Sequence, residues 1–202
     1  MKFKSNYQLP RKRQHKSEGG FTMLELLVVI IIVGILSAIA GPSWLSFLTK
    51  RRVTTANEMI FRAVREAQSE AKKNKVSYSI IFRNEEGFPQ FAIEETSDLN
   101  NNDFEAYWRT VNLNGAIKPG QLELKSTIAE EINYNGTEYN SITFDDIGTL
   151  DETVNFDNAI VTVVALNATT GEVIESTEQC IKLESFVGAM TTKRGSDCTQ
   201  QE

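Results

Sequence analysis

From Phe21 to Gly41 the chain runs through 21 residues in which every position but Thr22, Glu25 and Ser37 is apolar or small. At about 1.5 Å of rise per residue a helix of that length measures ~31 Å, one hydrocarbon thickness, so the pattern predicts a helix able to span a bilayer. Past Pro42 the texture changes. Leu45, Leu48, Ala56, Met59, Ile60, Ala63, Val64, Ala67 and Ala71 recur at three- and four-residue spacing, the stripe of an amphipathic helix with one face on a core. Pro42 removes one backbone donor and bends a helix without having to end it. Lys72, Lys73 and Lys75 suit the negative end of a helix dipole, which places the helix end near Asn74.

Beyond Asn74, short β-type runs alternate with turn residues. The expected strands are Val76–Phe82, Gln90–Glu95, Phe104–Leu113, Glu131–Asn135, Ser141–Asp145, Ala159–Asn167 and Glu172–Glu184. Asn167–Glu172 reads as a hairpin turn in which Gly171 takes positive φ. The predicted fold class is α+β, with a long N-terminal helix, half membrane-spanning and half amphipathic, packed on an antiparallel β-sheet domain. The expected division is a basic segment at 1–20, an apolar helix at 21–41, its amphipathic continuation at 42–74 and a β domain at 75–202.

Charge sharpens this picture. Residues 1–20 carry six Lys and Arg against Glu18, whereas 15 Lys and Arg face 26 Asp and Glu beyond Gly20. A basic front end before an apolar run holds the N-terminus in the cytoplasm, and the acidic remainder argues against a general nucleic-acid binder. Glu25 is then the residue that needs a reason. A carboxylate in an apolar span is costly and is by default functional, with a partner to find, although snorkelling near the end of the run softens the cost. No cation in the run can pair with it. Cleavage after Gly20 would create one, the free amine of Phe21, able to neutralise Glu25 of a neighbouring chain when helices pack side by side. Gly34 with Ala38 and Ser37 with Gly41 have the spacing of close helix approach and also that of ordinary membrane-helix composition.

The stretch GFTMLELLVVIIIVGILSAIAGP, from Gly20 to Pro42, resembles the N-terminus of type IV pilins and of the related pseudopilins of type II secretion. The resemblance rests on Gly20, Phe21, Thr22, Glu25 and Pro42. It implies removal of residues 1–20 by a prepilin peptidase on the cytoplasmic face, N-methylation of Phe21, and polymerisation of the apolar helices into a filament core on an inner-membrane assembly platform. It also implies a bacterial inner-membrane location before assembly, with the β domain outside the cytoplasm. ITFDDIGTL, Ile142 to Leu150, resembles the C-terminal region of H-type pseudopilins and related minor pilins, and CIKLESFVGAMTTKRGSDC, Cys180 to Cys198, resembles minor-pilin tails that close on a cysteine.

Other chemistry is sparse. Cys180 and Cys198 are the only cysteines, and an even count in an oxidising compartment favours a disulfide over a metal site. The sole histidine, His15, lies in the basic segment, so no Ser-His-Asp or Cys-His set can be built in the processed chain. No cofactor motif is present. Asp98, Asn100, Asn102 and Asp103 superficially suit calcium but lack the glycine and terminal glutamate of an EF-hand loop. Lys193 and Arg194, on the loop the cysteines would close, are the best place to look for a weak DNA contact. The leading expectation is a non-enzymatic pilin or pseudopilin whose partners are other pilins, the peptidase, the platform and membrane lipid. Its alternatives are a single-pass membrane-anchored binding protein, an exported enzyme on a signal anchor, and a secretory signal peptide cut near Ser37, Ala38 and Ala40.

Overall fold

The computed structural model describes residues 20–99, 105–112, 115–128, 131–150, 154, 156 and 159–198, and of Pro42 the backbone alone. The basic segment through Gly19, with His15, and Asn100–Asp103 of the calcium reading lie outside the described residues. The chain divides into two compact units, one ending at Ser43 and the other beginning at Trp44.

Helix α1, Met23–Asn74, is unbroken through Pro42 and ends where the lysines place it. Its stop is local. Lys75 takes φ 62° and its N–H donates to the Ala71 carbonyl at 2.9 Å, a left-handed cap that satisfies a carbonyl the last turn would leave orphaned. Glu70 accepts from Lys73 and from the Asn74 amide in the same turn, and the Lys73 bond holds the Glu70 carboxyl below its ordinary range, desolvation opposing. From Val53 the helix buries one face through Ala56, Ile60, Ala63, Val64, Ala67 and Ala71. The expected stripe is thus shifted inward: Leu45 is exposed, and Val53 is buried in its place.

Two antiparallel sheets complete the second unit. The first has the order β3-β2-β1-β6-β5, with β1 Tyr78–Glu85, β2 Phe88–Glu95, β3 Arg109–Thr110, β5 Glu131–Tyr134 and β6 Thr137–Phe144. The second has the order β4-β7-β8-β9, with β4 Leu122–Ser126, β7 Ile160–Leu166, β8 Val173–Leu183 and β9 Met190–Arg194. Alternation explains how β1 is buried on both faces. Ile80 and Phe82 join the main core with α1, while Ile81 points the other way into a second cluster with Ala92, Leu99, Ala106, Ile132 and Tyr134. Asn84 links the sheets by donating to the Leu124 carbonyl at 2.7 Å and accepting from the Leu124 N–H at 3.0 Å.

Several sequence expectations are corrected here. Of the long strand expected over Phe104–Leu113, the described residues form only Arg109–Thr110, because 105–108 covers the second cluster instead. There the Ala106 N–H donates to the Tyr134 hydroxyl at 2.6 Å and the Tyr107 N–H to Glu94 at 2.8 Å. Strands β4 and β9 were not expected. Two hairpins close on two-residue turns, Glu86-Gly87 and Asn135-Gly136, with all four residues at positive φ, the twist-matching geometry for strands so joined. Gly171 takes φ 73° in the expected turn, where the Asn167 N–H donates to the Glu172 carbonyl at 2.8 Å.

Candidate functional site

The N-terminus of α1 is built by Thr22. Its hydroxyl accepts the Glu25 N–H at 3.2 Å and its carbonyl accepts the Leu26 N–H at 3.2 Å, so Thr22 is the N-cap and Glu25 lies three residues on, the spacing of a capping box. Glu25 therefore has a local use that the sequence reading did not assign it. An acid in the first turn complements the positive end of the helix dipole. Thr22-x-x-Glu25 was the signal for it. Among the described residues no ion pair reaches Glu25.

From Phe21 to Phe47 every described side chain is exposed, including Phe21 at 82%, Leu24 at 75% and Ile39 at 73%. The helix is long and apolar enough to cross a membrane, with a mean hydropathy of 2.8 over its most apolar window. An apolar surface of this extent demands lipid or other helices. Gly34 and Gly41 have open space where a side chain would stand, so their surfaces are flat for close approach. The aromatic rings of Trp44 and Phe47 lie 5.8 Å apart just before Lys50, Arg51 and Arg52.

Farther along α1, Gln68 forms a second feature. Its Nε2 donates to the Gly148 carbonyl at 2.8 Å and to the Val187 carbonyl at 3.0 Å, so one side chain ties two turns to the helix. The first turn is the Phe-Asp-x-x-Gly stretch. Asp145 accepts from the N–H groups of Ile147 and Thr149 and from the Thr149 hydroxyl. Burial pushes its carboxyl up, but these bonds, led by the Thr149 hydroxyl, outweigh it and hold the carboxyl below its ordinary range. Gly148 at φ 78° and Gly188 at φ 79° pack against Lys72 and Gln68 respectively. A Cβ at either would overlap those side chains.

Cys180 and Cys198 form a disulfide that fastens the 3₁₀ turn Gly195–Cys198 to β8, with Ile160 buried against it. Lys193 and Arg194 are not on a loop. They belong to β9, where Lys193 opposes Cys180 and Arg194 opposes Gln179, because the segment continues the second sheet. Asp98 ends in the single turn Thr96–Leu99, and among the described residues no three His, Cys, Asp or Glu side chains converge as a metal site would require. A cavity of about 400 Å³ lies between α1 and strands β4, β7 and β8, lined by Leu45, Thr49, Arg52, Leu122, Leu166 and Ile174, with Arg52 its one titratable group. It gathers no set of titratable groups.

Residues 15–41 match the prokaryotic N-terminal methylation motif. The segment resembles the corresponding segments of type IV pilins. It is similar to the type IV major pilin protein PilA of Myxococcus xanthus, 39% identical over 69 residues that make up 34% of this chain and 30% of that protein. It is also similar to a fimbrial protein of Pseudomonas aeruginosa, 44% identical over 41 residues, 20% of this chain and 27% of that one. The matched stretches thus span less than a third of these relatives' lengths. Among solved structures the type IV minor pilin FimU of Pseudomonas aeruginosa aligns with a TM-score of 0.47 and 18% identity over 76% of this chain and 97% of that one.

Proposed function

We propose that this protein is a non-enzymatic structural subunit, a minor pilin or pseudopilin, that is trimmed after Gly20 and polymerises through its apolar helix. The observation that carries the reading is the surface from Phe21 to Phe47, exposed at every described side chain and apolar over nearly all its length, on a helix capped at Thr22 with one acid in its first turn. Burial of that surface against lipid and then against other copies is the work such a helix is built for. In the proposed cycle the chain waits in the bacterial inner membrane with its β domain outside the cytoplasm. A prepilin peptidase frees and methylates Phe21, and Glu25 of one chain meets the Phe21 amine of its neighbour on an assembly platform. Pro42 supplies the bend. The packed Asp145–Gly148 turn supports the H-like minor form, in a pilus or a secretion pseudopilus. Its ligands are other subunits and lipid, with no cofactor.

Intact-mass measurement after co-expression with a prepilin peptidase tests this. The expected product lacks residues 1–20 and carries one added methyl. A chain that stays full length would favour the membrane-anchored binding protein instead. Glu25→Ala separates the roles of the acid: cleavage at Gly20 is expected to proceed while entry into filaments drops. A Glu25→Gln variant that caps α1 and still fails to assemble would isolate the charge from the cap.

A further inference from the structure

Outside α1, the large apolar side chains exposed among the described residues are Tyr107, Ile147, Phe186 and Val187. Three of these four lie on the two turns that Gln68 ties together. The turns are also joined directly, the Leu150 N–H donating to the Phe186 carbonyl at 2.6 Å. Both are rigid: Asp145 fills the first with hydrogen bonds, and the Gly188 N–H donates to the Ser185 carbonyl at 2.9 Å in the second. A preorganised apolar patch loses little entropy on docking, and isolated solvent exposure of three such side chains on fixed turns has no folding benefit. Exposed acids border it at Asp146 and Glu184, and Lys72 packs on Gly148 from the helix side.

The complementary surface is on the same unit. Trp44, Leu45 and Phe47 are exposed, and the exposed Lys50 and Arg51 follow without an ion pair to any described carboxylate, in a chain whose net charge is −6, while the half-buried Arg52 lines the cavity beside β4 together with Leu45. The order is apolar then basic, against apolar bordered by acidic. Phe47 and Gln68 are separated by about 32 Å along α1 at helical rise, so one copy cannot satisfy both surfaces with itself.

We propose that the paired turns carrying Ile147, Phe186 and Val187 in one copy receive the Trp44–Arg52 stretch of a second copy. Because two different surfaces meet, the contact is heterologous and open-ended, and each copy offers the next a free patch. The inference rests on the subunit reading above and assigns it a specific contact between β domain and helix.

Site-directed cross-linking of the full chain in membranes with a prepilin peptidase tests it. The native cysteines are already paired, so introduced thiols report cleanly. Ile147→Cys and Phe47→Cys chains expressed together are expected to give oxidised dimers, and the double variant a ladder of higher species. Glu138→Cys, exposed on β6, paired with Phe47→Cys is expected to give neither. Asp146→Lys should lower the yield about fivefold, the scale of an exposed ion pair, and added Arg51→Glu should restore it. An intact Cys180–Cys198 bond in each variant certifies folding. If Val29→Cys cross-links packed helices while Ile147→Cys never reaches Phe47→Cys, this contact is overturned and the subunit reading stands. Adducts of Ile147→Cys only to other membrane proteins also overturn it. No cross-link at either place overturns both.

Discussion

Asp145 accepts three hydrogen bonds within its own turn, from the Ile147 N–H at 3.1 Å, the Thr149 N–H at 2.7 Å and the Thr149 hydroxyl at 2.6 Å. Its folded carboxyl is held below the ordinary value of 3.8, so its stabilising contribution is complete above that value and is lost as pH falls through the lower folded one. Asp145→Asn is expected to cost about 1–3 kcal/mol at neutral pH, the scale of hydrogen bonds to a charged group. It should also flatten the acid limb of stability, which denaturant titrations at neutral and acid pH would read. An unchanged acid limb would show that the turn does not sense this carboxyl. Gly148→Ala is the companion case. It combines φ 78° with overlap on Lys72, so adding Lys72→Ala should recover only the overlap and leave the backbone cost of about 1 kcal/mol. The letters Phe-Asp-x-x-Gly announce a turn in the sequence. That the turn seats helix residues more than seventy positions earlier is written nowhere locally, because nothing around Gln68 and Lys72 marks them as its partners until the strands bring the turn beside them.

Along helix α1 the sequence is most legible where periodicity is long and least where a few positions decide the register of burial. Asn74 as the end follows from the lysines of the last turn, and Ala56, Ile60, Ala63, Val64, Ala67 and Ala71 as the buried face follow from spacing. Leu45 does not, since an apolar residue at the right spacing stays exposed wherever the sheet does not reach it. Gln68 and Asn57 separate two kinds of polar residue on that face. Gln68→Ala would orphan the Gly148 and Val187 carbonyls and is expected to cost about 1–3 kcal/mol. Asn57 is 2% exposed and its Oδ1 has no partner among the described residues. Its burial is therefore uncompensated, and Asn57→Ala is expected to change stability by less than about 1 kcal/mol, against ~2–5 kcal/mol for the neighbouring Ile60→Ala. Equal losses at 57 and 60 would mean that Asn57 makes a contact worth as much as a buried aliphatic.

At the scale of the molecule, the α+β class and most strands are legible because β-type runs punctuated by turn residues are local signals. Strand β4 is missed because Leu122 and Leu124 supply a pattern of only two buried positions. Strand β9 is missed because Met190–Arg194 is polar and gains its order from eleven-residue β8 beside it. The apolar helix is written almost letter by letter, its cap is missed although Thr22-x-x-Glu25 signals it, and the paired turns arise only from tertiary closure. The cysteine pair tests how far that closure depends on a covalent staple. With 18 residues of sequence separation between Cys180 and Cys198, the chain-entropy model assigns the bond about 3 kcal/mol. Register with β8 already orders Met190–Arg194, so the bond acts mainly on the unfolded chain and on the final 3₁₀ turn. Replacing both cysteines with alanine, which suits the fully buried Cys180 site, is expected to lower unfolding free energy by about that amount. The unfolding is followed by the fluorescence of Trp108, whose ring lies 3.8 Å from the Arg83 guanidinium. Capture of the Trp44–Arg52 stretch should survive, because Val187 is held from the helix side by Gln68 and Phe186 by the Leu150 N–H, and neither by the sulfurs. Loss of capture at undiminished stability would instead place the disulfide in the docking surface.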